Sequence, residues 1–160
     1  EKLIRSFSVK PKRLVALVPS PADVSTIKER IVGVRNACEK EKVDFVYLDL
    51  PENQKEVTAL IKTEVEKGAD SFIALNNKCT LKTLAALNEL NQKIPSQVRL
   101  ISFDDSEAFL YMNPPISALR QPVAEIGIQS VARMFERLKE SKEPGKHFIL
   151  PCEFFARGSH

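Results

Sequence analysis

The stretch "DSFIALNNKCTLKTLAALNELNQKIPSQVRLISFDD", Asp70 to Asp105, decides the fold. "DSFIAL" and "VRLISF" are short apolar runs without in-and-out alternation, the mark of strands buried on both faces. Between them "LKTLAALNEL" is helical, and "KIPSQ" is a turn. Two buried strands joined through a helix form a parallel pair, because parallel neighbours require a crossover.

The same alternation extends both ways. "RLVALV", Arg13 to Val18, is a strand closed by Pro19. Ser20, Pro21 and Asp23 read as a helix start: a capping hydroxyl, a proline at the first helical position and an acid at the positive end. Ile27, Ile31, Val34 and Cys38 give that helix one apolar stripe and carry it to about Lys42. "VDFVYLDL", Val43 to Leu50, is the next strand. Val57, Leu60, Ile61 and Val65 mark a second helix that Gly68 stops. Beyond the acids come the paired prolines Pro114 and Pro115, an extended "ISALRQP", and a long helix from about Val123 to Glu140. That helix has two apolar rows, Val123 with Ile126, and Ile128, Val131, Phe135 and Leu138; one row can face the sheet and the other invites another lobe or chain. "HFILP" and "EFFAR" close the chain as extended segments. The expectation is an α/β fold, a mostly parallel sheet with helices on both faces.

Composition narrows the function. The chain has 160 residues, 43% hydrophobic and 28% charged, about one domain's worth with a real core. No apolar run approaches the roughly 20 residues that span a bilayer, so a soluble, cytoplasmic protein without membrane contact is expected. No leader marks export. Cys38, Cys79 and Cys152 are odd in number and unpatterned, which argues for reduced thiols and against structural zinc. A net charge of +3 with one short basic cluster, "VKPKR", does not by itself indicate nucleic acid. The scattered glycines form no phosphate loop, so neither a cofactor nor a metal is expected.

In parallel sheets, ligands bind outside the carboxyl ends of the strands. Those ends carry Pro19 and Ser20, Asp49 and Leu50, Asn76 and Asn77, and Asp104 and Asp105. Each has two readings. One of the acids caps the next helix while the other faces a pocket. Asn76 and Asn77 are turn or cap residues, or ligand contacts. Arg30 is a solvated helix residue or enters the cleft. Cys79 at a helix start is a buried thiol or an activated one. No nucleophile and base are paired in sequence, which points to binding and away from catalysis.

With these residues laid out, the chain resembles the C-terminal, effector-binding half of the LacI/GalR family of bacterial transcription regulators. The resemblance rests on the strand with its asparagine pair, the small-residue helix, the "IP" turn, "SFDD", "PPISALRQP…IG" and the closing "LPCEFFARGS". It implies a periplasmic-binding-protein-like lobe of flavodoxin/Rossmann-like architecture, with residues 13–160 forming the lobe and residues 1–12 ending a preceding lobe or linker. It further implies no enzyme activity, and a small-molecule effector, a sugar or related metabolite, touching Arg30, Asn76, Asp104 and Gln121. Leu50 stands near the place of an aromatic that stacks on the ligand. A homodimer through this lobe is implied, with contacts from Leu81, Leu84, Phe109 and Met112. Operator DNA would be met only through a helix-turn-helix that this stretch does not contain, so a fragment of a regulator about twice as long is expected. Asp104 is expected to face the cleft, and Asp105 to start the short helical turn that follows. An exported sugar-binding protein of the same fold and a flavodoxin-like enzyme are the alternatives.

Overall fold

A computed structural model describes residues 2–20, 24–139 and 147–160, the side chains of 2 and 3 excepted. The chain runs α1 (Lys2–Arg5), β1 (Arg13–Pro19), α2 (Ser25–Glu41), β2 (Asp44–Leu50), α3 (Gln54–Glu66), β3 (Ser71–Ala74), α4 (Asn77–Glu89) and β4 (Arg99–Phe103). A 3-10 turn (Glu107–Tyr111), β5 (Ser117–Arg120), α5 (Val123–Leu138) and β6 (Glu153–Phe155) complete it. The six strands pair in the order β2-β1-β3-β4-β5-β6. All neighbours are parallel except β6, which returns antiparallel along β5. The α/β fold expected from the apolar runs is therefore present.

The core has two layers. Val15, Leu17, Phe72, Ala74, Leu100 and Ala118 face α3, α4 and the 3-10 turn, and meet Val57, Ile61, Leu87 and Phe109. Leu14, Val18, Ile73, Leu75 and Ile101 face the other way, onto Ile27, Ile31 and Cys38 of α2 with Ile4 and Phe7 from the opening segment. Strands that look uniformly apolar still obey the period of two; each face simply has a layer to fill. Gly68, at φ 92°, takes the left-handed position after α3, and its N–H and that of Ala69 return to the carbonyls of Val65 and Glu64.

Several details depart from expectation. α2 begins at Ser25, with Val24 in extended backbone before it and no side-chain cap, so Ser20 does not cap it; Pro21 and Asp23 lie outside the described residues. α4 begins at Asn77, about four residues early, because Asn76 Oδ1 accepts from Cys79 N at 2.8 Å and secures an extra turn. β2 is an edge strand and only partly buried, with Tyr47 exposed. No residue of α5 is buried, so neither of its apolar rows rests on the sheet. The carboxyl-terminal residues are anchored. Ser159 Oγ accepts from Ser117 N and donates to Leu100 O, Leu100 N donates to Ser159 O, and His160 Nδ1 meets Ser117 Oγ at 2.9 Å.

Candidate functional site

Three of the expected site residues converge at the carboxyl end of the sheet. Arg30 is brought there by α2, whose neighbouring Ile27 and Ile31 fix the buried face. Its Nη1 donates to the Leu75 carbonyl at 2.6 Å and to Asp104 Oδ2 at 3.3 Å. Its guanidinium stacks 3.9 Å from the centre of the Phe103 ring. Asp104 is the first residue past β4 and Gln121 the first past β5; Gln121 Nε2 donates to Asp104 Oδ1. One cation, one anion and one amide thus close a neutral cluster. Each carboxylate oxygen has a lone pair to spare for a further donor, and the Asp104 side chain is 29% exposed.

Asp104 stands at φ 73°, a left-handed conformation that side chains rarely adopt. Its N–H donates to the Leu119 carbonyl at 2.9 Å, and Ser102 Oγ donates to its carbonyl at 2.8 Å. Thr80 Oγ1 then donates to Ser102 Oγ at 2.7 Å, sharing its single proton with Asn76 O at 3.0 Å. A buried hydroxyl pair therefore ties the start of α4 to the backbone of Asp104.

The other expected residues take different places. Asn76 spends its carbonyl oxygen on the α4 cap, leaving its amide donors for the rim. Leu50 is buried in the core and borders a hollow of about 80 Å³ with Ser20, Glu52, Lys78 and Lys82, apart from the Arg30 groove. Burial pushes the Cys79 thiol up to about 11, the setting of an inert buried cysteine. Asp105 does not begin the 3-10 turn as a cap in its own right: the capping position is Ser106, whose side chain makes no capping bond. Asp105 is instead gripped by Arg157 and Arg120. Hydrogen bonds from Arg157, set against the cost of burial and joined by those from Arg120, hold its carboxyl below the usual aspartate range. The sequence carried no local signal for that grip, because Arg157 arrives from the far end of the chain.

Of the residues expected to meet a second subunit, Leu81 is exposed, and Leu84 and Met112 are half-buried against the core. Phe109 is 1% exposed and belongs to the core of its own chain. A 3-10 turn has three residues per turn, and here it points Phe109 inward while Leu110 and Tyr111 face out.

A groove of about 390 Å³ runs from Arg30 and Gln121 past Phe103, Gly33 and Val34 to Ile4. Arg30 and Gln121 of the cluster line one end, Thr26 and Glu29 of α2 add polar groups to the wall, and the remaining lining is apolar. A polar molecule would gain directional contacts from Arg30 and Gln121 at the strand ends and from Thr26 and Glu29 on α2. Among the described residues no group of three His, Cys, Asp or Glu could hold a metal ion, and no helix is long and apolar enough to cross a membrane.

Residues 10–160 match the model of the periplasmic binding protein-like domain. The chain is 29% identical over 171 residues to the probable opine utilization operon repressor of Rhizobium rhizogenes, covering 98% of this chain and 85% of that protein. It is 30% identical over 105 residues to the lactose operon repressor of Rhizobium radiobacter, covering 66% of this chain and 90% of that protein. It is 25% identical over 150 residues to the HTH-type transcriptional regulator MalR of Streptomyces coelicolor, covering 93% of this chain but 42% of that protein. Several other curated relatives are likewise covered over less than half their length, among them the ribose operon repressor of Lactococcus lactis at 45%. Among solved structures, transcription regulator CcpA of Lactococcus lactis superposes with a TM-score of 0.78 at 25% identity, over 99% of this chain and 58% of that one. The periplasmic binding ribose operon repressor protein of Lactobacillus acidophilus reaches 0.84 at 23% identity, over 99% and 59%, a likeness of fold.

Proposed function

Since the chain belongs to the periplasmic binding protein-like family, among the effector-binding domains of LacI-type regulators, we propose that it senses a small polar metabolite to govern DNA binding. DNA would be held by another part of a longer regulator, within a bacterial cytoplasm. The observation that carries this reading is the Arg30–Asp104–Gln121 cluster at the strand ends. An arginine fork, a carboxylate and an amide offer both donors and acceptors to a ligand with several hydroxyl or carboxyl groups. The relatives support the same chemistry, being named for opine, lactose and ribose operons. Asn76 adds an amide donor to the rim, whereas Leu50 acts from beneath it.

In this reading the effector displaces the internal partners of Asp104. It then favours one of two arrangements of the cleft, which is a population shift set by differential affinity. The test is a titration of ribose, lactose and an opine into the chain, followed by thermal unfolding and by the Gln121 side-chain amide resonances. One of them should stabilise the fold, by about 2.7 kcal/mol at a hundredfold excess over its Kd. Arg30→Ala should abolish the effect; a ligand whose stabilisation survives that change overturns the assignment.

The lobe also pairs with a second copy, through Leu81 and the exposed neighbours of Phe109, Leu110 and Tyr111, with Leu84 and Met112 beneath them. Sedimentation at tens of micromolar should return twice the chain mass. A single-chain mass unaffected by concentration would remove the dimer.

A further inference from the structure

Asp104 offers its carboxylate to Arg30 and Gln121 only because its backbone holds a conformation that residues with a Cβ disfavour. Its backbone bonds the Leu119 carbonyl and Ser102 Oγ, and the next residue is itself tightly held. The Asp105 side chain is 2% exposed and accepts five hydrogen bonds. Arg157 Nη1 reaches Oδ1 at 2.7 Å and Nη2 reaches Oδ2 at 2.8 Å. Arg120 reaches Oδ2 through Nε at 3.1 Å and Nη2 at 2.6 Å, and Ser106 N reaches Oδ1 at 2.9 Å. Arg157 is itself fixed, with Nη1 also 2.6 Å from the Ile116 carbonyl and its backbone N–H on Ser117 Oγ. Both arginines lie near the Phe155 ring, at 4.0 and 5.6 Å from its centre.

The two arginines come from neighbouring strands at one edge of the sheet, Arg120 from the end of β5 and Arg157 from just past β6. Arg120 is the residue before Gln121, on the way to α5, and Arg157 lies two residues beyond β6. One dipeptide therefore touches both edge strands: Asp104 through Gln121, Asp105 through Arg120 and Arg157. A buried ion pair is weak evidence for stability, but a two-pronged arginine–carboxylate pair restricts orientation strongly.

We propose that the Arg120–Asp105–Arg157 fork positions Asp104, fixing the peptide between the two acids so that the first carboxylate meets Arg30 and Gln121. Arg157 is then a positioning residue for effector binding that never touches the effector, a consequence that rests on the sensing role proposed above for Asp104. Movement of β6 along β5 would be felt at Asp104 through the same fork.

The test needs no ligand, so its failure is separate from failure of the sensing role. In the full 160-residue chain, Arg157→Lys keeps the charge and loses the fork. It should shift the Asp104 backbone and Gln121 side-chain amide resonances and speed hydrogen exchange at Asp104 N–H about tenfold. Ser159→Ala removes a buried tie between the same strands without touching Asp105, and should leave both readouts unchanged. Should Arg157→Lys fail to fold, Arg120→Lys decides by the same readouts, since that side chain is 52% exposed and its loss is tolerable. Unchanged resonances and exchange in the lysine variant, or equal changes in Ser159→Ala, overturn the proposal.

Discussion

β3 and α5 are both rich in apolar residues, yet they have opposite fates. All four residues of β3 are buried between two layers of helices. α5 has the sharper separation of apolar and polar faces, and the large hydrophobics on it are between 39% and 74% exposed. An amphipathic helix states a demand for a partner; whether the demand is met depends on what the rest of the chain supplies. In β3 the partners are the neighbouring strands and the helices crossing them, so burial is settled locally.

The contrast can be broken by substitution. Phe72→Ala removes one of the largest buried side chains of the core and should cost about 3–5 kcal/mol in urea unfolding. A loss under about 1 kcal/mol would mean that the layer beneath it is loosely packed.

Asp105→Asn comes next, at about 3 kcal/mol near neutral pH, because Arg157 keeps a buried charge with no anion opposite. Its pH dependence has a definite sign. The carboxyl is held below its unfolded value, so the unfolded chain binds the proton more readily and the contribution is complete above about pH 4. It is lost as pH falls through the folded value. The stability gap between parent and variant should therefore be widest near neutrality and narrow in acid; a gap independent of pH would show that the ion pair is not its source.

Smallest is the paired change Val131→Ser with Phe135→Ser on α5, expected to move stability by less than about 0.5 kcal/mol because both side chains already face solvent. A loss of several kcal/mol would show that the helix has a seat within this chain.

What sequence could tell follows the same division. The parallel sheet was legible because short apolar runs alternate with helical periods from Arg13 to Phe103. Arg30, Asp104 and Gln121 meet in the structure as the family resemblance implies, whereas position along the chain pointed only to Asp104 and left Arg30 open. Their hydrogen bonds to one another were not foreseen. Asp105 was misassigned because its partner is 52 residues away, and a capping aspartate looks the same from its neighbours. Asn76 was open between cap and contact because one amide does both jobs with different atoms. Phe109, a subunit contact only by resemblance, lies inward because the 3-10 turn of "EAFLY" sets it against the core while Leu110 and Tyr111 face out. The α5 rows show the limit plainly: periodicity gives a helix its faces but not their partners.

The bonds of Ser159 also impose an order on the building of this molecule. During synthesis the chain emerges amino end first, and every strand from β1 to β5 is available before residue 159 is. Until residues 153–159 emerge, Ser117 N and Leu100 O lack their hydroxyl partner, Asp105 lacks Arg157, and β5 lacks the strand that covers its outer edge. A nascent chain at that stage presents an open sheet edge beside a half-satisfied acid, the kind of surface that pairs with other chains. Residues 153–159 therefore act as a stitch across β4, β5 and the acids, and a chain that has not yet placed them carries an open sheet edge.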